Sequence, residues 1–187
     1  MTAEQIPEGR TRWWRQRRIL PRPAVYSVWV LVAVGWLLLD QVTKLLAVRA
    51  LEGRPPIDLG VVDLRLVRNP GGAFGIPGLF PGLFILVTLV VIVLVLRALP
   101  HTDRLSLVVA YGLVTGGALG NVVDRIVRDP GFPSGRVVDF IDLGWWPVFN
   151  LADSGIVVGA LLIALLLANQ EHEEPALVKA ETADADP

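Results

Sequence analysis

The sequence has no cysteine and only two histidines among 187 residues. Without cysteine there is no disulfide, no thiol nucleophile and no zinc–thiolate site, and the redox compartment stays undetermined. His101 and His172 stand too far apart, and too far from the other polar clusters, for a histidine-based metal site. Charge is also scarce: charged residues make up 19% of the chain and the formal net charge is −1. A balance this close to neutral exerts no global pull on nucleic acid. Lysine is rare beside arginine, an imbalance that assigns no function.

What the chain has in quantity is apolar surface, 53% of its residues, gathered in blocks rather than spread evenly. A helix needs roughly 17–25 residues to cross a hydrocarbon core. The first block covers 24–39 and continues amphipathically to about 50; the second covers 79–96; the third covers 105–123; the fourth covers 151–168. The third carries Gly112, Gly116, Gly117, Ala118 and Gly120, small residues that let backbones approach closely in lipid, so it is expected at the centre of a bundle. A cleavable signal peptide ending at Val48-Arg49-Ala50 is the weaker reading of the first block, which is long for that role and interrupted by Asp40 and Lys44.

The expected architecture is therefore a membrane all-α bundle of four transmembrane helices. Arg10, Arg12, Arg15, Arg17, Arg18 and Arg22 precede the first block, which places that end in the cytoplasm under the positive-inside rule. Residues 1–23 form a basic extension, 24–168 the four-span domain, and 169–187 an acidic tail expected to be disordered and cytoplasmic. The longer connections, 51–78 and 124–150, then face outward. Val62, Leu64 and Leu66 alternate with charged neighbours, and 136–142 is β-branched and aromatic, so a small extracytoplasmic β-sheet is expected there.

Acids beside membrane spans are costly and usually functional. Asp40, Asp124, Asp139 and Asp153 all fall near the outer ends of the expected spans, which suits a site at a water–lipid boundary better than an ion pathway. Each also has a plain structural reading. Asp40 and Lys44 are spaced as a helical ion pair. Asp124 opposes the dipole at a helix C-terminus and needs a partner, with Arg125 the nearest candidate. Asn150 and Asp153 are spaced as a capping box. The stretch from Asn69 through Gly71, Gly72 and Gly75 reads as a turn. Asp139 in a strand has no comparable structural account.

Together these segments carry a resemblance. Asp40-Gln41-Val42-Thr43-Lys44, Asn69 to Gly75, Gly116 to Arg125, Val137-Val138-Asp139-Phe140 and Phe149-Asn150-Leu151-Ala152-Asp153 follow one another as they do in the lipoprotein signal peptidase (signal peptidase II) family. The chain resembles that family over roughly residues 24–168. The resemblance implies an aspartic endopeptidase of the bacterial cytoplasmic (inner) membrane, with Asp139 and Asp153 as the catalytic pair. It implies that Asn69, Asn121, Asp124, Arg125 and Asn150 line the site and that Asp40 and Lys44 support it. The implied substrate is a diacylglyceryl-modified prolipoprotein, met among membrane lipids by a monomer with no metal or cofactor and no nucleic acid. Two features depart from the family pattern: the connection from Asp139 to Asp153 is short, and both terminal segments lie outside the family core.

Other chemistries remain open on the residues alone. Ser154 with Lys44 as its base would make a Ser–Lys peptidase. A small transporter or channel subunit, or a structural protein presenting an outer β-patch, would each use the polar residues differently.

Overall fold

In the computed structural model the described residues are 21–71, 81–102 and 104–183, without the side chains of 81 and 169–183. The basic extension through residue 20 and most of the glycine-rich stretch, from Gly72 onward, lie outside them. Among the described residues there are four long helices: α1, Arg22–Leu51; α2, Pro81–Ala98; α3, Leu105–Val127; and α4, Leu151–Ala183. Each contains a stretch long and apolar enough to cross a membrane, in α4 over Leu151–Ala168.

Helix α1 shows how the bundle is specified. Its buried residues are Val25, Ala33, Asp40, Lys44, Ala47 and Leu51, spaced in threes, fours and their sums, so they form one stripe along a 3.6-residue helix. The opposite face exposes Leu31, Leu38, Val42, Leu45 and Leu46, as expected where the surroundings are hydrocarbon rather than water. Asp40 and Lys44 therefore point inward because they replace apolar residues on the buried stripe.

Helix α3 is the most buried of the four and packs against both α1 and α4. Its glycines make this possible. A Cβ on Gly116 would lie 2.5 Å from the Ala33 carbonyl oxygen of α1, and one on Gly117 would collide with the Ala152 carbonyl oxygen of α4. Van der Waals contact at such spacing replaces the hydrophobic drive that lipid does not supply. At the end of the bundle remote from the acids, Val25, Val95, Leu99, Leu107, Val108 and Tyr111 form the apolar core.

At the other end sits a three-stranded antiparallel sheet in the order β1 (Ile57–Asp58), β2 (Asp63–Asn69), β3 (Val137–Asp142). The alternation in 62–68 and the β-branched run in 136–142 form β2 and β3 as expected, while the two-residue β1 is too short to leave a pattern. The chain reverses tightly after β3. Asp142 accepts from Gly144 N–H at 2.9 Å, Gly144 adopts φ +76°, and Phe149 pairs back on Ile141. The short connection noted in the sequence is thus a compact reversal that returns the chain beside Asp139.

Helix α4 continues to Ala183 through a segment whose composition suggests disorder. Alanine, glutamate and leucine are strong helix formers, and extending an existing helix fixes one residue per hydrogen bond gained.

The contact at Gly117 yields a prediction. Gly117→Ala should destabilise the folded protein by about 1–3 kcal/mol, since its Cβ meets backbone rather than a movable side chain. Gly35→Ala, with open space around its Cβ, should change stability by less than about 1 kcal/mol. Thermal unfolding in micelles compares the two; equal midpoints would refute close α3–α4 packing.

Candidate active site

The polar residues of α1, α3, β3 and α4 meet in one network at the sheet end of the bundle. Its foundation is Lys44, fully buried, whose Nζ lies 2.9 Å from Asp40 Oδ2, 2.9 Å from Asp124 Oδ2 and 3.0 Å from Asn121 Oδ1. A buried cation requires such company, because an unpaired charge removed from water is very costly. Arg128 adds a second cation, its Nε donating to Asp124 Oδ1 at 2.7 Å. Two carboxylates and two cations thus form a charge-balanced cluster. Asp124 needs both partners because it sits in the last turn of α3, where the helix dipole opposes a negative charge.

Both carboxylates also hold backbone, Asp40 with its second oxygen and Asp124 with the oxygen that faces Lys44. Asp40 Oδ1 accepts from Ala152 N–H at 2.8 Å, and Asp124 Oδ2 accepts from Val138 N–H at 3.1 Å. Each clamp grips the residue immediately before one of the remaining aspartates, Asp153 and Asp139.

Asp139 and Asp153 are joined through two asparagines. Asn150 Nδ2 donates to Asp139 Oδ1 at 2.6 Å and to Asn121 Oδ1 at 3.1 Å. Asn121 Nδ2 donates to Asp153 Oδ1 at 2.7 Å, and Asn69 Nδ2 donates to Asp139 Oδ2 at 3.1 Å. The capping box forms as spaced: Asp153 N–H donates to Asn150 Oδ1 at 3.0 Å, and Asn150 N–H donates to Asp153 Oδ2 at 3.2 Å. Capping and site-building are therefore one arrangement.

Asp139 is almost wholly buried. Burial, and then the nearby charge of Asp153, push its carboxyl up to about 7, while hydrogen bonds from Asn69 and Asn150 pull the other way. Both aspartates line a cavity of about 370 Å³. Asn69, Asn121 and Arg125 share its polar end, and Phe84, Val87, Val91, Ile156 and Val157 form an apolar wall between helices. Among the described residues no cluster of acids and histidines could hold a metal ion.

A family model described as signal peptidase (SPase) II matches residues 32–169 of this chain. The chain belongs to the signal peptidase II family. It is 50% identical over 129 residues to a lipoprotein signal peptidase of Rhodococcus jostii strain RHA1, a match covering 68% of this chain and 65% of that protein, just under two thirds of its length. It is 47% identical over 137 residues to the lipoprotein signal peptidase of Streptomyces griseus, covering 72% of this chain and 70% of that one. A bacterial membrane enzyme solved by the in meso method at 2.3 Å resolution superposes with a TM-score of 0.65 at 29% identity, over 78% of this chain and 90% of that one. Family membership and four apolar helices make this a multi-pass bacterial membrane protein.

Asp40, Lys44, Asn69, Asn121, Asp124, Asn150, Asp139 and Asp153, the residues that the family resemblance singles out, all meet in this one network. Arg125 differs from the expectation that it would neutralise Asp124. Its guanidinium lies 4.6 Å above the Phe84 ring, NH1 reaches Gly135 O at 3.4 Å, and its buried Nε has no protein partner among the described residues. Residue i+1 on a helix points some 100° away, so Asp124 pairs instead with Arg128 at i+4. Ser154 Oγ donates back to Asn150 O at 3.0 Å, while Lys44 is engaged by three other oxygens, an arrangement unlike a serine–lysine pair.

Lys44→Met should cost about 3–5 kcal/mol by stranding two buried carboxylates beside one cation. The double variant Lys44→Met with Asp40→Asn restores the balance and should recover part of that loss. Unfolding midpoints of wild type, both single variants and the double complete the cycle; strictly additive losses would contradict the cluster.

Proposed function

We propose that the chain is an aspartic lipoprotein signal peptidase that removes the signal peptide from diacylglyceryl-modified prolipoproteins, cutting before the lipidated cysteine. The observation that carries this reading is the meeting of Asp139 and Asp153 on one cavity, linked through Asn150 and Asn121. The relatives named lipoprotein signal peptidase support it from outside.

The reaction needs two carboxylates sharing one proton and one water, since close carboxylates resist ionising together. Asp139, with its carboxyl raised to about 7, is the proton-bearing member. Asp153 takes the ionised role, in the first turn of a helix whose dipole favours negative charge. It draws a proton from water as the oxygen attacks the scissile carbonyl carbon, and Asp139 gives its proton to the carbonyl oxygen. The tetrahedral intermediate then collapses: Asp153 gives its proton to the leaving nitrogen, the C–N bond breaks, and Asp139 takes a proton back from one hydroxyl as the new carboxyl forms. No acyl-enzyme forms. Arg125 and Asn69, at the polar end of the cavity, are suited to hold the peptide backbone and polarise its carbonyl. The apolar wall suits the lipid chain and the hydrophobic signal segment, admitted sideways between helices.

In this reading residues 24–168 carry the activity, and 1–23 and 169–187 are peripheral. Both termini lie in the cytoplasm and the site opens near the outer leaflet, where the scissile bond meets water. The enzyme works as a monomer among membrane lipids, without cofactor or nucleic acid.

The decisive experiment is cleavage of a diacylglyceryl-modified lipobox peptide in micelles. Asp139→Asn and Asp153→Asn should each lose roughly 10²–10⁴-fold in kcat while unfolding like wild type. Near-normal cleavage by both would sink the dyad and return attention to Ser154. A folded wild type that does not cut would instead argue against the activity.

The pH profile has a defined sign. The pair needs one proton, and above about pH 7 Asp139 loses it, so kcat should fall on the alkaline side of neutrality. A rate still climbing through pH 8.5 would contradict this assignment.

A further inference from the structure

The two backbone clamps beside the proposed dyad are bridged twice. Lys44 is one bridge. The other is Gln41, whose Nε2 lies 3.1 Å from Asp40 Oδ2, 3.4 Å from Asp124 Oδ1 and 3.1 Å from Gly120 O. One amide from α1 thus touches the carboxylate that grips Ala152, the carboxylate that grips Val138, and the α3 backbone between them. Gly120 makes this approach possible: a Cβ there would lie 2.5 Å from Asp40 Oδ2.

We propose that Gln41 is a positioning residue for the signal peptidase reaction, fixing the separation of Asp139 and Asp153 by tying Asp40 to Asp124. The reasoning rests on the dyad reading above. Lys44 attracts both carboxylates, but point-charge attraction is only weakly directional, and an ammonium on a flexible stem lets its partners swing. A planar amide has two N–H vectors at fixed angles. Gln41 spends them on this junction, so it restricts the rotation that Lys44 leaves free. Misplacement at Asp40 passes through Ala152 to Asp153, and misplacement at Asp124 passes through Val138 to Asp139. The charged groups around Asp139 are Asp153 from α4, Lys44 from α1 and Arg125 from α3, and Gln41 adds no charge to that set.

The test is Gln41→Leu, close in size but without donors, in the full-length protein in micelles with the diacylglyceryl lipobox peptide. Wild type and Asp139→Asn run in parallel, so that failure of the dyad itself shows as uncut substrate in wild type or as retained activity in Asp139→Asn. Gln41→Leu is expected to lower kcat on the order of ten- to a hundredfold, as small misplacements of reacting groups do, with KM little changed. The alkaline limb of its pH profile should move to lower pH, because a loosened β3 admits water to Asp139 and relieves the burial that raises its carboxyl. A merely structural role would lower kcat only in proportion to the folded fraction and leave the limb in place, and that result overturns the proposal. Unchanged kcat and limb overturn it as well. If Gln41→Leu folds poorly, Gln41→Met at reduced temperature gives the same comparison on the folded fraction.

Discussion

A single buried ammonium holds this site together. Lys44 has no access to water, and its Nζ is shared by Asp40, Asp124 and Asn121. Burying a charge is tolerable only with close opposite charge and satisfied hydrogen bonds, so α1 and α3 must be in register at this level. The glycines at 112, 116 and 120 bring the two backbones near enough. The carboxylates fixed by Lys44 then fix β3 and α4 through Val138 and Ala152. Positional information thus runs from one cation, through two anions, to two backbone amides, and ends at Asp139 and Asp153.

The reversal after β3 completes the geometry from the other side. Gly144 supplies the positive φ, Phe149 pairs back on Ile141, and Asn150 arrives within 2.6 Å of Asp139 while capping α4. Because Asn150 caps the helix and bonds Asp139 at once, the rotation of α4 about its axis and the position of Asp139 are mechanically coupled. A longer, looser connection would uncouple them. The short connection between Asp139 and Asp153 is therefore what lets the network close.

Much of this was legible in the residues. The four spans, the two longer strands and the grouping of acids at one end follow from hydropathy and from period 2 or 3.6 alone. The Asp40–Lys44 pair and the Asn150–Asp153 box follow from spacing, because both are local along a helix. What was hidden is whatever depends on how separate helices face one another. Arg125 adjoins Asp124 in sequence but turns toward Phe84, and the Asp124 partners come from i+4 and from another helix. Gln41 lies in a recognisable motif, yet nothing local shows that its amide reaches α3. Trp36, whose indole N–H donates to Leu151 O at 3.1 Å and whose ring covers Gly155, has no motif at all; only its place one turn before Asp40 on the buried stripe hints at a role. Helix α4 runs past residue 168 because a helix already formed extends on local propensity.

The charge arrangement also bears on how the proposed dyad can share a proton so near a lysine. A free Lys44 would draw Asp139 toward ionisation, and its positive charge does act in that direction. Asp40 and Asp124 face the same ammonium at 2.9 Å, so at the distance of Asp139 the cation is largely cancelled. Arg128 in turn keeps Asp124 from carrying surplus negative charge. The cluster is thus neutral as a whole. It can hold the proposed dyad in place while adding little to its protonation, which is set mainly by burial and by the repulsion between Asp139 and Asp153. A brace built from one unbalanced charge would fix the geometry equally well but would draw the proposed acid–base pair toward one protonation state.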